Sequence, residues 1–599
     1  MRASSVTSAV RALSASLLVL ASSCAGAKPH PAPTPVASAK PAPPPVAPSF
    51  PVGWPYPSAV PAAVTSKKGM VVTDAALASV VGRDMLAAGG NAVDAAVATA
   101  LALAVVYPTA GNLGGGGFLV ARMDGKTHAL DFRETAPAAA TRDMYPSTAE
   151  GKPNPGSREG YKSAGVPGSV AGLFEAQRKL GSKTWAEVIA PAIRFAEEGF
   201  VVDAPLAKSL KESEERLKRF PATAQLYYST GGPPAVGSTF KNPELGAVLR
   251  RIAAKGPSGF YEGPTAEAIA TDMKDNGGLV TLADLKAYRA KWREPLAFDY
   301  RGFHVVSMPP PSSGGVTVAM ICHLLEGYDL RALGWHSPRE LHVLFEAMRR
   351  AFAARNAKLG DPDFVTNPLT ELLSPEWASS QRATIKDDRA TPSTELGQPS
   401  TSGGAGPHTT HFSVTDDHGN AVALTTTINW WYGSGVTVRG MGFFLNNEMD
   451  DFASVPGTAN GFGLVQSEPN AVAPGKRMLS SMAPSIVTAP DGRLVLVTGG
   501  AGGPTIINSV VQILSNVVDF GLDAPAAVNA PRFHLQHLPD VVMYEKNGLS
   551  DDLMKSLVAM GYAFKERGHI ADSPSIGFLD GAYVGAPEPR REGALASGW

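Results

Sequence analysis

Apolar positions change their spacing along the chain, and those changes predict a protein built from both helices and strands. An almost wholly apolar run at 90–105 predicts a buried helix, followed by Pro108 and a glycine cluster at 111–117. Apolar residues three or four positions apart predict further helices near 169–179, 185–198, 264–273, 338–359 and 506–520. Short apolar runs predict strands at 485–489 and 494–498. Strand candidates in the middle, with helices before and after, favour stacked α and β layers.

Two further strands are predicted to form a hairpin within PHTTHFSVTDDHGNAVALTTTIN, residues 407–429. Residues 417–419 suit a three-residue loop whose glycine takes the left-handed position. Pairing outward from this loop sets Thr409 opposite Thr427. Asn429 follows two residues later on the same face, because side chains alternate between the faces of a strand. A hydroxyl at the end of a buried strand, opposed by polar groups, indicates a nucleophile.

The composition is that of a soluble globular protein. The chain has 599 residues, enough for a large core, with 44% hydrophobic and 18% charged residues. Its 53 Lys and Arg residues almost cancel its 54 Asp and Glu residues. The protein therefore has no overall positive charge that would attract the phosphate backbone of a nucleic acid. We do not expect nucleic acid to be a partner.

The N-terminus is predicted to direct export. Arg2 and Arg11 precede an apolar stretch at 13–21, which is too short to cross a bilayer but suits a signal peptide. The stretch ends in Ala-Ser-Ser-Cys, which resembles a bacterial lipoprotein cleavage site with Cys24 as the lipid-bearing residue. We therefore expect a lipid-anchored protein of the cell envelope, in the periplasm or at the outer membrane. Simple secretion after cleavage is the alternative.

A tether is expected after the signal segment. Residues 25–60 are rich in Pro, Ala and Lys and hold few large apolar residues, so they should not fold. The only other cysteine, Cys322, lies in an apolar segment and is expected to be a buried hydrophobe. A stretch at 391–407 has the composition of an exposed linker and leads directly to Thr409.

Several motifs, in one order, resemble the gamma-glutamyltransferase family. They are AGNLGGGGFLV, LDFRETAP, VPGSVAG, MPPPSSGG, TTHFSV, TTTIN, LNNEMDDF, RMLSSMAPSIV, GGAGGP and NAPRFH. The resemblance covers nearly the whole chain after about residue 65. It implies an α+β fold of four layers, αββα, as in N-terminal-nucleophile hydrolases. It also implies a large subunit at 61–408 and a small catalytic subunit at 409–599.

The resemblance implies that Thr409 is the catalytic nucleophile. In the family, this threonine attacks the preceding carbonyl, here at the His408–Thr409 bond, and splits the chain. A threonine hydroxyl needs an adjacent base, which a free N-terminal amine of pKa about 8 can supply. Thr427 is expected to orient the nucleophile. The alternatives are an ordinary strand threonine at Thr409 and β-propensity alone at Thr427.

The glutamyl group is expected to be recognised at both of its charged ends. Asn429, Glu448 and Asp451 would surround the α-ammonium, because its three donors need acceptors. The resemblance implies that Asp451, and not its neighbour Asp450, is the binding residue. The alternative is a polar loop without such a role, in which both aspartates would be solvated. Some relatives carry glutamine where Glu448 stands.

The α-carboxylate is expected to meet Arg133, whose planar fork matches a carboxylate. Ser480 and Ser481 would add donors to the same carboxylate. The alternative for Arg133 is a surface salt bridge with Asp131 or Glu134.

An oxyanion hole is expected at Gly502 and Gly503, where a strand passes into a helix. The first turn of a helix has unpaired N–H groups, and glycine allows a carbonyl to approach closely. Phosphate binding is the competing interpretation, but GGAGGPT lacks the lysine of a P-loop and the third glycine of a dinucleotide motif. No metal-ligand spacing is present among the histidines, and neither a metal nor an organic cofactor is expected.

The expected function is therefore transfer or hydrolysis of the γ-glutamyl group of glutathione and related donors. Water or the amine of an amino acid or peptide would be the acceptor, and the two subunits would form a heterodimer. Alternatives are a same-fold glutaryl-β-lactam acylase, a poly-γ-glutamate-processing enzyme, or an inactive envelope-tethered binding protein. The segment 456–476 fills the position of a lid that such acylases tend to lack. Phe462 stands where relatives with the lid often carry a tyrosine.

Overall fold

Two seven-stranded sheets form the centre of the protein, in a computed structural model that describes residues 50–56, 64–146, 148, 154–397 and 409–599. The strands are β1 Thr65–Ser66, β2 Met70–Thr73, β3 Gly116–Met123, β4 Lys126–Asp131, β5 Phe200–Val201, β6 Thr239–Phe240, β7 Lys291–Arg293, β8 Leu296–Tyr300, β9 Phe303–Ser307, β10 Thr410–Thr415, β11 Ala421–Thr427, β12 Ser485–Thr488, β13 Leu494–Thr498, β14 Phe533–His534, β15 Val542–Glu545, β16 Phe564–Arg567, β17 Ser575–Leu579, β18 Ala582–Ala586 and β19 Leu595–Gly598.

Helices precede, separate and follow these strands. The α-helices are α1 Ala76–Ala87, α2 Ala92–Val106, α3 Ser169–Leu180, α4 Trp185–Glu198, α5 Ala204–Glu212, α6 Glu214–Leu217, α7 Pro221–Tyr228, α8 Pro243–Lys255, α9 Ser258–Tyr261, α10 Gly263–Asp275, α11 Leu282–Ala287, α12 Gly314–Leu325, α13 Leu330–Leu333, α14 Pro338–Lys358, α15 Leu369–Leu372, α16 Pro375–Arg382, α17 Thr505–Val518, α18 Ala524–Asn529 and α19 Asp551–Ala559. Within the described ranges, no helix combines the length and the apolar character that crossing a membrane requires.

The four-layer prediction is confirmed. One sheet has the order β1-β18-β17-β13-β12-β9-β8, and the other has β19-β2-β10-β11-β3-β4-β7. Helices α1 and α2 pack on the outer face of the second sheet, and α12 packs on the first. Side chains of both sheets share one core between them. Since both faces of these sheets are covered, the strands do not alternate cleanly between polar and apolar residues.

The predicted helices and hairpin are observed within a few residues of their expected bounds. The apolar run forms α2, whose Asn91 caps the helix and accepts N–H bonds from Val93 and Asp94. In the hairpin, Thr410 pairs with Thr426, which sets Thr409 opposite Thr427 as predicted. Gly419 has φ of 76°, as the three-residue loop requires.

Two features differ from the expectations. Strands are not confined to the middle, since the sheets also take strands from the ends of the described body, β2 and β17–β19 among them. Part of the predicted tether at 25–60 and part of the predicted linker at 391–407 are packed against the body. Trp54 is buried and its Nε1 donates to the Asn529 carbonyl at 3.0 Å. Ser393 is buried in a 3-10 turn and its hydroxyl donates to the His537 carbonyl at 2.6 Å.

The body at 45–599 is one compact unit, although residues 409 onward were predicted to become a separate chain. In both sheets, strands from after Thr409 lie between strands from before it. In one sheet β10 and β11 lie between β2 and β3, and in the other β12 pairs with β9. Cys322 is buried in α12, as expected. The predicted lipid site Cys24 and the cleavage partner His408 lie outside the described residues.

Candidate active site

The hydroxyl of Thr409 lies at the edge of a cavity at the start of β10. Its Oγ1 is 3.2 Å from the Oγ1 of Thr427, which is the last residue of β11. Both residues are buried, with Thr409 8% exposed. Thr409 has φ of 89°, a conformation that is costly for a β-branched residue. The predicted pair of hydroxyls is therefore formed at the end of the hairpin.

The chain turns sharply after Thr427, and a hydrogen bond to the Thr427 hydroxyl stabilises this turn. The backbone N–H of Asn429 donates to Thr427 Oγ1 at 2.7 Å, and Asn429 has φ of 71°. Its side-chain Nδ2 donates to the Asn447 carbonyl at 3.0 Å, which ties it to the acidic segment. Thr427 Oγ1 accepts the bond from the Asn429 N–H, and its hydroxyl can donate to Thr409 or to the carboxylate of Glu448, with which it also forms a hydrogen bond.

The glycine cluster before β3 allows the backbone to pack closely behind this turn. A Cβ at Gly115 would lie 2.0 Å from the Thr427 carbonyl oxygen, and one at Gly114 would lie 2.1 Å from the Phe444 carbonyl oxygen. Both are backbone atoms that cannot move aside. These glycines therefore have a structural role.

Arg133 and the predicted acidic residues meet in the same cavity. Arg133 is 1% exposed; its Nη1 donates to Glu448 Oε2 at 2.6 Å, and its Nη2 donates to Asp451 Oδ2. The alternative of a surface salt bridge is wrong, because the guanidinium is buried. Glu134 does lie near Arg133, with its Oε2 3.7 Å from Nη1, but this pair is buried. Asp131 pairs with Arg293, at 3.0 Å. The arginine expected to bind the α-carboxylate and the acids expected to bind the α-ammonium thus form ion pairs with each other here.

Burial perturbs the acids around Arg133. It raises the pKa of Glu448 well above its usual range, although the positive charge of Arg133 acts in the opposite direction. It likewise raises the pKa of Asp451. The neighbouring Glu134, also buried, has its pKa raised to about 8. A cationic ligand would favour the charged forms of these acids, because an opposite charge offsets desolvation.

Asp450 has a different position from Asp451, as expected, but it is not solvated. It is 1% exposed and accepts hydrogen bonds from Ser157 Oγ at 2.6 Å and from the Gly461 N–H at 3.2 Å. It does not line the cavity that contains Thr409. Asp450 therefore anchors the segment 456–476, whereas Asp451 faces the cavity.

The double serine lies across the cavity from the acids. Ser480 Oγ accepts the N–H of Met482 at 3.1 Å, and Ser481 Oγ accepts an N–H of Arg355 at 3.2 Å. Each hydroxyl thus has its proton free to donate. Arg355 also lines the cavity and is 1% exposed. Sequence reasoning missed Arg355, because it lies on the charged helix α14 among residues typical of a surface.

The turn that contains Gly502 and Gly503 lies just before α17. Gly502 and Gly503 have φ of 137° and 61°, and within the described chain neither backbone N–H donates to another residue. Gly503 lines the cavity, whereas Gly502 is not among its lining residues. The turn is therefore open on the side that an oxyanion hole requires, with Gly503 nearest to the ligand space.

Phe462 covers the site. Its ring lies 5.9 Å from that of Trp430, and a Cβ at Gly503 would lie 2.7 Å from it. The Phe462 carbonyl accepts an N–H of Gln536 at 3.2 Å. The segment 456–476 is thus packed over the cavity as a lid through an apolar ring.

The cavity is partly open to solvent. It brings together nine of the ten residues that the sequence assigned to catalysis and donor binding, Thr409, Thr427, Asn429, Glu448, Asp451, Arg133, Ser480, Ser481 and Gly503. Among the described residues, the only cluster suited to a metal ion is Asp416, Asp417 and His418. That cluster forms the hairpin loop, at the other end of β10 from Thr409.

Comparison with known proteins agrees with this geometry. A family profile described as Gamma-glutamyltranspeptidase matches residues 78–598. The glutathione hydrolase proenzyme of Pseudomonas sp. (strain A14) is 44% identical over 550 residues, covering 90% of this chain and 95% of the relative. The corresponding proenzyme of Escherichia coli (strain K12) is 44% identical over 543 residues, covering 90% of this chain and 93% of the relative.

A solved structure extends the comparison to the fold. The cephalosporin acylase of Bacillus halodurans superposes with a TM-score of 0.81 at 29% identity, and covers 92% of this chain and 99% of that chain. Its agreement over nearly the whole length matches the four layers described above. From the family profile and the two proenzymes, the chain belongs to the gamma-glutamyltranspeptidase family.

Proposed function

We propose that this protein is a self-cleaving enzyme that hydrolyses or transfers the γ-glutamyl group of glutathione and related donors. One observation carries the proposal: a threonine hydroxyl at a strand end shares one cavity with a buried arginine and two buried carboxylates. These are the groups that a reactive carbonyl, an α-carboxylate and an α-ammonium would need. The names of the two proenzymes support the substrate class and the processing.

In the first step proposed, the Thr409 hydroxyl attacks the His408 carbonyl carbon and the His408–Thr409 amide bond breaks, which gives an ester. Water then hydrolyses this ester to a His408 carboxylate and a free Thr409 hydroxyl. Cleavage leaves Thr409 with a free amine, which can accept the proton of its own hydroxyl. The left-handed φ of Thr409 favours this step, because loss of the preceding carbonyl removes a steric restraint on a β-branched residue. The two products would remain together as the predicted heterodimer, because strands of one pair with strands of the other in both sheets.

In the transfer reaction, Thr409 Oγ attacks the γ-carbonyl carbon while its proton passes to the Thr409 amine. The N–H groups of Gly502 and Gly503 would stabilise the oxyanion. Collapse expels the amine of the leaving peptide, which takes up the proton and leaves a threonyl ester. Water or the amine of an amino acid or peptide then attacks that ester and releases Thr409.

The donor would be held at both charged ends. Its α-ammonium would meet Glu448, Asp451 and the Asn429 amide oxygen. Its α-carboxylate would meet Arg133 and the two serine hydroxyls described above. Buried charges need such partners, because the cost of desolvation exceeds what packing alone returns. No organic cofactor or metal takes part in the proposed steps.

Thr409→Ala tests the proposal. The variant should remain a single chain without activity on a γ-glutamyl anilide, whereas the wild type should give two bands on a denaturing gel, the smaller beginning at Thr409. Thr410→Ala is the matched control, because Thr410 Oγ1 bonds to Asp74 on the other face of β10 at 3.1 Å. It should be processed. Cleavage of purified Thr409→Ala at the same bond would refute the mechanism.

A glutaryl-specific acylase is the second candidate, favoured by the similarity to the cephalosporin acylase. A glutaryl group lacks the α-ammonium, so it would leave Glu448 and Asp451 without their ligand. Equal concentrations of γ-glutamyl and glutaryl anilides separate the two functions. Faster release from the glutaryl compound would favour the acylase, and an unsplit, inactive wild-type chain would favour a binding protein.

We also propose that Cys24 carries a lipid and tethers the enzyme within the cell envelope. The support is the sequence alone: a short apolar segment that ends in Ala-Ser-Ser-Cys. Cys24→Ser should then release soluble enzyme of normal activity from the membrane fraction. A wild type that is already soluble in the envelope would favour simple secretion.

A further inference from the structure

The active-site cavity contains a second buried arginine whose charge is not paired. Arg355 extends from α14 and lines the cavity with its side chain almost wholly buried. Among the described residues, no carboxylate oxygen lies within ion-pair distance of it, whereas three carboxylates lie within that distance of Arg133. Buried charges are normally paired, so this guanidinium is suited to an anion that arrives with the substrate.

Four neutral acceptors surround the guanidinium. Its Nε donates to Ser313 Oγ at 2.8 Å, and its Nη1 donates to Asn356 Oδ1 at 2.7 Å and to Gln466 Oε1 at 3.4 Å. Its Nη2 donates to Ser481 Oγ at 3.2 Å. These bonds fix the plane of the fork but leave its charge uncompensated. Burial accordingly lowers the pKa of Arg355 to about 10, although Asp451 acts in the opposite direction.

The same bonds determine where the double serine points. Ser481 Oγ accepts from Arg355, so its own proton is free to be donated into the cavity. Ser313 Oγ accepts from Arg355 and donates to the Ser480 carbonyl at 2.6 Å. The backbone N–H of Ser313 donates to that same carbonyl at 2.8 Å. Arg355 therefore holds Ser481 directly and Ser480 through Ser313.

We propose that Arg355 is a positioning residue for the α-carboxylate of the donor. It orients the Ser480 and Ser481 hydroxyls toward that group, and it supplies the positive charge that Arg133, already paired with Glu448 and Asp451, does not leave free. This inference rests on the proposed γ-glutamyl function. A purely structural role, in which Arg355 only ties α14 to the serine segment, is the alternative.

The two roles differ in their dependence on the donor. If Arg355 acts on the α-carboxylate, its loss harms only donors that carry that negative charge. The probes are a γ-glutamyl anilide and the same compound with its α-carboxylate converted to a neutral carboxamide. Arg355→Gln should lower kcat/KM for the carboxylate donor by ~10- to 100-fold, as for loss of hydrogen bonds to a charged group, mainly through KM. It should change kcat/KM for the carboxamide donor by less than about 3-fold.

Arg350→Gln is the matched control. Arg350 lies on the same helix and is equally buried, but it pairs with Glu346 and does not line the cavity. Its substitution should leave the ratio of the two donors unchanged, whatever it does to stability. Subunit splitting on a gel reports whether each variant has folded far enough to process itself.

Arg355→Lys keeps the charge but cannot bridge Ser313 and Ser481 at once. We expect it to process normally and to give a donor ratio between wild type and Arg355→Gln, which keeps the test valid if the glutamine variant does not fold. An equal loss on both donors would show a structural role and overturn the proposal, as would an unchanged ratio in Arg355→Lys. A wild type without activity on either anilide would instead refute the proposed function.

Discussion

Thr427→Val removes one oxygen atom from the active site with almost no change in shape. The oxygen takes part in the 3.2 Å contact with Thr409 Oγ1 and in the 2.7 Å bond from the Asn429 N–H. Valine can replace neither. The substitution therefore separates the hydroxyl's chemistry from the packing of β11.

The two losses affect different measurements. A buried N–H left without an acceptor at Asn429 should reduce the free energy of unfolding by ~1–3 kcal/mol. Loss of the bond that orients Thr409, together with release of Asn429 from its left-handed φ, should reduce transition-state stabilisation by about 1.5–3 kcal/mol. That free energy corresponds to a fall in kcat/KM of roughly 10- to 150-fold.

The assay combines anilide kinetics, gel analysis of processing and urea unfolding. Thr427→Ser keeps the hydroxyl and should recover most of the activity. Thr425→Val is the control, since Thr425 lies two residues away on the same face and its hydroxyl bonds to His411 Nδ1 at 2.9 Å. It should lose stability but little kcat/KM. A valine variant within twofold of wild type, or a serine variant as poor as valine, would refute the orienting role of Thr427.

Three further outcomes are expected. Arg133→Ala should lose ~2–5 kcal/mol of donor binding or transition-state stabilisation yet still be processed, since cleavage involves no glutamate; unchanged anilide kinetics would place the carboxylate site elsewhere. Phe462→Tyr adds a hydroxyl that can donate to the amide oxygen of Asn429, worth about 1 kcal/mol, and should shift products toward transfer when a dipeptide acceptor is present; identical product ratios would contradict this. Acidification from pH 6.5 to 5 should cost about 2 kcal/mol of unfolding free energy for each buried histidine that stays neutral when folded but takes up a proton when unfolded, and pH-independent urea midpoints would argue against it. Burial lowers the pKa of three histidines to about 3: His336, His411 and His534.

The hairpin was predictable because its information is local. A three-residue loop with glycine at its left-handed position fixes the register, and the register alone sets Thr409 opposite Thr427. The roles of the acidic segment and the double serine needed the family resemblance. No periodicity relates Asp451 to Arg133, which lies more than three hundred residues earlier in the chain.

The rest depended on tertiary packing. Arg355 lies in a helix whose charged residues are typical of a solvent-exposed face, yet it is buried because the lid and the serine segment close over it. The short strands β1, β2 and β19 were missed because their neighbours in the sheet are hundreds of residues away. The strands β17 and β18 form a local hairpin that the sequence analysis did not identify. Trp54 likewise docks on a carbonyl that no local pattern could reveal.

The pairing of strands from before Thr409 with strands from after it gives chain cleavage a consequence for folding. Among the described residues, five strand pairs join the two parts, namely β1·β18, β2·β19, β2·β10, β3·β11 and β9·β12. The uncut chain can form these pairs in a unimolecular reaction. Once it is cut, refolding requires two chains to meet, so each tenfold dilution should weaken the assembled state by about 1.4 kcal/mol. The mature enzyme would then persist because it unfolds slowly, whereas the precursor can return to its fold from the unfolded state.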